Sequence, residues 1–212
     1  MPAIAYSVLP AVITEFSAKH PGIHVLLNIL NSESVFDWLG AHQMDIGIAA
    51  LTSQRTVAEI ELIPCPPCMC VLRSDSPLAK NDTITPQDLE DQPFISTFAS
   101  SMLRRQVDEV FQAAGISRKM VMETTYSSSA IQLVKCGLGV TIVDPFTAHT
   151  LTDTALAVRP FHPTIPYEFG LLFPKSATLS LAAQSFLDVL RSSIDEVNKA
   201  GPAITSQTGK SA

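Results

Sequence analysis

Two nearly unbroken apolar runs, "IHVLLNIL" (Ile23 to Leu30) and "MDIGIAAL" (Met44 to Leu51), alternate with stretches of helical spacing. No other feature of the chain narrows its fold as much. Strands covered on both faces lose the polar–apolar alternation of a half-buried strand, and they belong to βα units. Val8, Leu9, Val12, Ile13 and Phe16 predict a helix from Ser7 to His20, with Pro10 in an early turn because it lacks an N–H. Asn31 or Ser32 can cap a second helix that buries Val35, Phe36 and Leu39 and ends at Gly40. Helix, strand, helix, strand is therefore the expected order, on a mostly parallel sheet.

Further along, "IELIPCPPCMCVLRS" reads as two extended pieces parted by Pro64, Pro66 and Pro67, a crossing between two subdomains. A short helix from Pro86 and a strand from Pro93 to Thr97 follow. Leu103, Val107, Val110 and Phe111 then line one face of a helix that Gly115 stops. "KMVMETTY" is a strand, a serine-headed helix follows it, and "GVTIVDP", "ALAVRPF" and "YEFGLLFPK" are extended. The last helix runs from Ser180 to Val197, and the tail from Gly201 has the composition of a disordered segment.

Composition removes several function classes. The chain has 212 residues, 46% hydrophobic and 16% charged, which is globular. Its net charge is −6 and its 14 lysines and arginines are scattered, so no basic stripe fits a phosphate backbone. No apolar run reaches the ~20 residues that span a bilayer, and the N-terminus lacks the positive region of a secretory signal. A cytoplasmic protein with no membrane contact is expected. Cys65 and Cys68 have C-x-x-C spacing, but with two prolines between them and a strand behind they read as reduced small hydrophobes. "GLG" at Gly137 to Gly139 closes a helix instead of opening one, so it is no dinucleotide fingerprint. There is no G-x-S-x-G elbow, and no histidine cluster has metal-ligand spacing. Binding is favoured over catalysis, with no cofactor and no metal.

Ser127, Ser128 and Ser129 stand at a helix start, where backbone N–H groups lack partners and a carboxylate is a natural guest. Similar corners recur at Ser96, Thr97, Ser100 and Ser101, and at Asn31, Ser32 and Ser34. Ligands of open α/β sheets bind beyond the carboxyl ends of strands. Three hydroxyl-rich corners can serve one cleft between two lobes.

Taken in order, "LPAVITEFSAKHPGIHVLL", "MDIGIA", "VLRSDSPLA", "FISTFASSMLRRQVDEVFQAAGI" and "SSSAIQLVKCGLGVTIVDP" resemble the effector-binding domain of LysR-type transcriptional regulators. The resemblance runs from Pro2 to Val197. It implies an α/β fold of two lobes of periplasmic-binding-protein type (type II), joined by two crossing strands. Lobe I would hold residues 1–69 and 172–200, lobe II residues 70–171, with 201–212 a tail. It also implies a small-molecule inducer in the cleft, a homodimer or tetramer, and DNA contact only through a winged helix-turn-helix absent from this chain. The family's first strand would precede Met1. Pro2, Ala3, Ser32, Ser96, Thr97, Ser127, Ser128 and Asp144 are the effector contacts carried over. Glu33 or Asp144 is the expected partner for an amine. "VFDWLGAHQMDIGIA" and the "MPAIAYSVLP" opening most resemble the opine-responsive branch, whose effectors are amino-acid conjugates. The alternative is a transporter's solute-binding protein of the same fold.

Overall fold

A computed structural model of the chain describes residues 2–51, 58–175 and 179–200. The expected disordered tail from Gly201 lies outside the described residues. Two compact units divide the chain. Unit one comprises Met1–Cys65 and Glu168–Gly201, and unit two Pro66–Tyr167.

Unit one opens with helices α1 (Pro2–Ser7) and α2 (Leu9–Lys19), with Pro10 in the first turn of α2, where its missing N–H costs nothing. Helix α3 (Ser32–Gly40) takes Asn31 as its cap, whose side chain accepts from Ser34 N. Three strands follow: β1 (Gly47–Ala50), β2 (Ala58–Ile63) and, late in the chain, β8 (Phe169–Pro174). The sheet order is β1–β8–β2 and both ladders are antiparallel. Helix α7 (Leu181–Ala200) completes the unit, and His20 at the end of α2 meets Ser185 of α7 at 2.9 Å.

The expectation of mostly parallel sheets is corrected here. It included a buried parallel strand at Ile23–Leu30. That segment enters no ladder of the described sheets, and Ile23, Leu26, Leu27 and Ile29 are exposed. An apolar run becomes a strand only when another backbone satisfies its N–H and C=O groups. β1 instead lies beside β8, a strand of opposite direction from the other end of the chain.

Unit two contains β3 (Met69–Arg73), β4 (Pro93–Thr97), α4 (Met102–Ala114), β5 (Lys119–Thr124), α5 (Ser127–Lys135), β6 (Thr141–Val143), α6 (Pro145–His149) and β7 (Leu156–Pro160). β3 runs antiparallel between β6 and β7. β4 and β5 are parallel, and a parallel bridge from Phe94 to Val140 joins β4 to the start of β6. In β3 the side chains alternate between two cores. Cys70 and Leu72 join Phe94, Phe111 and Phe161 on one face, while Met69 and Val71 join Ile95, Val134 and Val143 on the other.

Of the three helix stops read from glycine, Gly40 is the last residue of α3, with Ala41 at the cap, and the other two close their helices directly. Gly115 (φ +70°) and Gly137 (φ +86°) are left-handed. Each sits in a paired closing motif: Ile116 N donates to Phe111 O and Gly115 N to Gln112 O, and Leu138 N donates to Leu133 O and Gly137 N to Val134 O. The cysteines are free thiols. Cys68 and Cys70 are fully buried, and burial, with Asp88 nearby, pushes the Cys70 thiol up to about 12, so it stays protonated.

Candidate functional site

β4, β5 and β6 run in one direction, so their carboxyl ends share one edge of unit two. Thr97 lies opposite Thr124 across the β4–β5 ladder. Ile95 N donates to Val140 O at 2.8 Å, and the Thr141 hydroxyl donates to Ile95 O at 2.8 Å, which fixes β6 against β4. That edge carries Thr97 and the α4 start, Tyr126 and the α5 start, and Asp144 and the α6 start. Of the nine expected contacts, Ser96, Thr97, Ser127, Ser128 and Asp144 fall here.

The serine row is not the cap of α5. Tyr126 holds the N-cap position and makes no side-chain cap bond, so Ser127, Ser128 and Ser129 are the first three helical residues. Their N–H groups begin the helix, Ser129 N reaching only Tyr126 O at 3.1 Å. Ser128 and Ser129 are exposed, and the helix N-terminus adds partial positive charge beside them.

Ser127 turns the other way. Its hydroxyl donates to Asp144, which is 97% shielded from solvent (relative exposure 3%) and caps α6 by accepting from Thr147 N and the Thr147 hydroxyl, both at 2.8 Å. The carboxylate on which an amine was expected is therefore already engaged. Burial raises its pKa above the ordinary carboxylate value, opposed by the Thr147 and Ser127 hydrogen bonds. A folded pKa above the unfolded one means the folded chain holds the proton more tightly. Stability from this group falls as pH rises from the unfolded value through the folded value, then levels. Asp144→Asn should abolish that segment, so urea midpoints of wild type minus variant should fall with rising pH across that window and flatten above it. A pH-independent difference would show that the carboxyl is not held protonated by burial.

Thr97 and Ser96 alternate across β4, and both are buried. The Thr97 hydroxyl pairs with Ser101 at 2.8 Å, and Ser101 caps α4 by accepting from Arg104 N. In unit one, Ser32 accepts from Ala50 N at 3.1 Å, tying the α3 start to the end of β1, and Glu33 is exposed in the first turn of α3. Pro2 and Ala3 lie in the first turn of α1, where Ala3 O accepts from the Ser7 hydroxyl at 2.7 Å.

Sequence reasoning missed a charged group behind this edge. Arg104 donates to both oxygens of Asp108 at 2.9 Å, to Thr97 O at 3.2 Å and to Glu123. Arg118 pairs with the same Asp108 and lies over the rings of Phe94 and Phe111, 5.1 and 5.0 Å from their centroids. Burial, then repulsion from Arg104, lowers the Arg118 pKa to about 10, which leaves it charged at neutral pH. The i,i+4 spacing of Arg104 and Asp108 was the one sequence signal for it. Among the described residues, no cluster of three His, Cys, Asp or Glu side chains could hold a metal, and no helix is long and apolar enough to cross a membrane.

Known proteins resemble this chain in sequence and fold. The transcriptional activator LysR of Escherichia coli is 29% identical over 209 residues, covering 97% of this chain and 66% of the activator. The regulatory protein NocR of Agrobacterium tumefaciens is 30% identical over 172 residues, 81% of this chain and 57% of NocR. The octopine catabolism/uptake operon regulatory protein OccR of Rhizobium meliloti is 31% identical over 177 residues, 84% and 57% of the two chains. The chain thus spans about two thirds or less of the length of these relatives. Among solved structures, the Synechocystis CcmR regulatory domain in complex with 2-PG has a TM-score of 0.75 at 22% identity, covering 91% of this chain and 93% of that one. The effector binding domain of QuiR in complex with shikimate has a TM-score of 0.73 at 20% identity, covering 92% and 93%. These similarities show the two-lobed α/β fold, and the relatives are regulators, which does not favour the transport alternative. The LysR substrate binding domain description matches residues 1–195, and the chain belongs to that family, one of effector-binding domains in transcriptional regulators and not of enzymes.

Proposed function

We propose that the chain senses an amino-acid-derived carboxylate of the opine kind, and that binding alters DNA contact made by a part of the protein outside these residues. The observation that carries this reading is the serine-headed start of α5. Three small hydroxyl residues occupy helical positions in sequence, two of them exposed and none used as a cap, beside the ends of β4 and β6. Such a start suits a carboxylate through N–H groups, hydroxyls and helix dipole together. OccR, by its name, regulates octopine catabolism and uptake, which supports the effector class. In this reading Ser128, the Ser127 N–H and Thr97 contact the effector, Ser96 supports the corner, and Asp144 orients Ser127. Pro2, Ala3, Ser32 and Glu33 keep their proposed role as effector contacts, Glu33 for an amine.

The regulator would act in the cytoplasm as a homodimer or tetramer. The exposed row Met120, Val121 and Met122 on β5 supports association of copies, because apolar residues adjoining on an open strand invite a partner. An effector shifts such an assembly only by binding its two states unequally.

Calorimetry with octopine tests the site. Ser128→Ala should weaken binding about tenfold, the cost of one hydrogen bond to a charged group. Octopine binding wild type and variant alike would remove the serine from the site. Binding of simple carboxylates but not octopine would overturn the opine class and keep the site.

A further inference from the structure

We propose that Arg104 couples the corner at Thr97 to strand β5, so that a change at one is felt at the other. Its functional weight rests on the effector reading above; the coupling itself does not.

Arg104 occupies the first turn of α4, three residues after the cap Ser101. A cation there opposes the helix dipole, and the turn contains no acidic residue to offset it. What compensates is a set of partners from three elements. The guanidinium donates to Asp108 on α4, to the backbone carbonyl of Thr97 at the end of β4, and to Glu123 on β5. Asp108 is shared with Arg118, which stands just before β5. The network therefore grips β5 near both ends.

This matters because β5 has little else on that side. Lys119 to Glu123 are all exposed, and Thr124 is half-buried. The strand is held by its ladder to β4 and by these charges, not by a buried apolar face. Arg104 is 11% exposed, so its ion pairs are screened less than surface ones. An effector that shifts the Thr97 corner moves the acceptor Arg104 holds, and Arg104 carries the shift to Glu123. β5 is also the strand whose apolar row is proposed above to meet a second copy. Arg104 is thus a positioning residue between ligand corner and interface.

Amide exchange on the intact chain, without ligand, tests the coupling. Glu123→Gln should speed exchange at the Ser101 and Arg104 amides about fivefold in the presence of Arg104. In an Arg104→Gln background the same substitution should add less than about twofold. An equal increment in both backgrounds, or none in either, overturns the proposal. A merely structural arginine would speed exchange when removed but leave the Glu123→Gln increment intact. Arg104→Lys keeps the charge without the three-way contact, and the increment should fall toward that of Gln; full retention would overturn the geometric claim. Octopine titration reports separately on the effector reading, so the two can fail independently.

Discussion

Gly139→Ala is expected to destabilise unit two by about 3 kcal/mol or more, combining overpacking with the loss of strand hydrogen bonds. An ideal Cβ at this position would lie 2.1 Å from Pro93 O and 2.7 Å from Pro93 C. Backbone cannot rotate away as a side-chain tip can, so the strands must part. The next residue, Val140, donates to Pro93 O at 2.8 Å and accepts from Ile95 N at 2.8 Å. Parting the strands therefore breaks the bridge between β4 and β6 and shifts the edge that carries Thr97 and Asp144. A loss of this size corresponds to a drop of roughly 6–12 °C in midpoint for a chain of this length. Gly115 is the control. It has φ +70° with nothing within 4 Å of a Cβ, so Gly115→Ala should cost only about 1–2 kcal/mol of left-handed strain. Thermal melts of the two variants should differ in that order. A Gly139→Ala midpoint within about 2 °C of wild type, less than 1 kcal/mol on the same scale, would contradict the close approach.

Arg159→Met should lower the stability of the same unit by about 2–4 kcal/mol, the cost of leaving buried carbonyl groups without their donors. Arg159 is a buried cation on β7. Its Nε donates to Ala79 O at 3.1 Å and to Asn81 O at 3.0 Å, and its terminal nitrogens donate to Ala79 O at 2.6 Å and Val158 O at 2.8 Å. The carbonyls of Ala79 and Asn81 end the 3-10 turn Pro77–Lys80, and the arginine supplies the donors that the turn's own backbone cannot. Methionine fills the space but leaves those carbonyls without the guanidinium. Arg159→Lys keeps the charge and loses the planar fork, so it should recover less than half of the difference. Urea unfolding of the three chains checks this. A lysine variant as stable as wild type would show that charge alone suffices.

Most elements could be read from local pattern. β4 at Pro93–Thr97 and the α4 face of Leu103, Val107 and Phe111 follow from residue spacing that nothing distant overrides. The glycine stops were legible for the same reason, since a left-handed residue is a local demand. Leu181 was not; it is apolar and begins α7, yet it is exposed. Of the site, the hydroxyl-rich corners were visible in sequence, but their roles were not. Tyr126, not a serine, holds the N-cap position of α5, and the Asp144 oxygens accept from Thr147 and Ser127. Which group a hydroxyl or carboxylate meets depends on neighbours from other elements.

Alone, the sequence determined the family, through its resemblance in ordered motifs, most of the order of helices and strands, and the character of a binding protein without a basic face. The last two rest on periodicity, turn residues and composition, all local or additive. Tertiary structure decided strand direction, since β1 pairs with β8 from the far end of the chain while Ile23–Leu30 enters no described ladder. It also decided why Gly139 must be glycine and where Arg159 and Arg104 find their partners. Each of these is a contact between segments distant in sequence, and no local pattern encodes what the far segment will present.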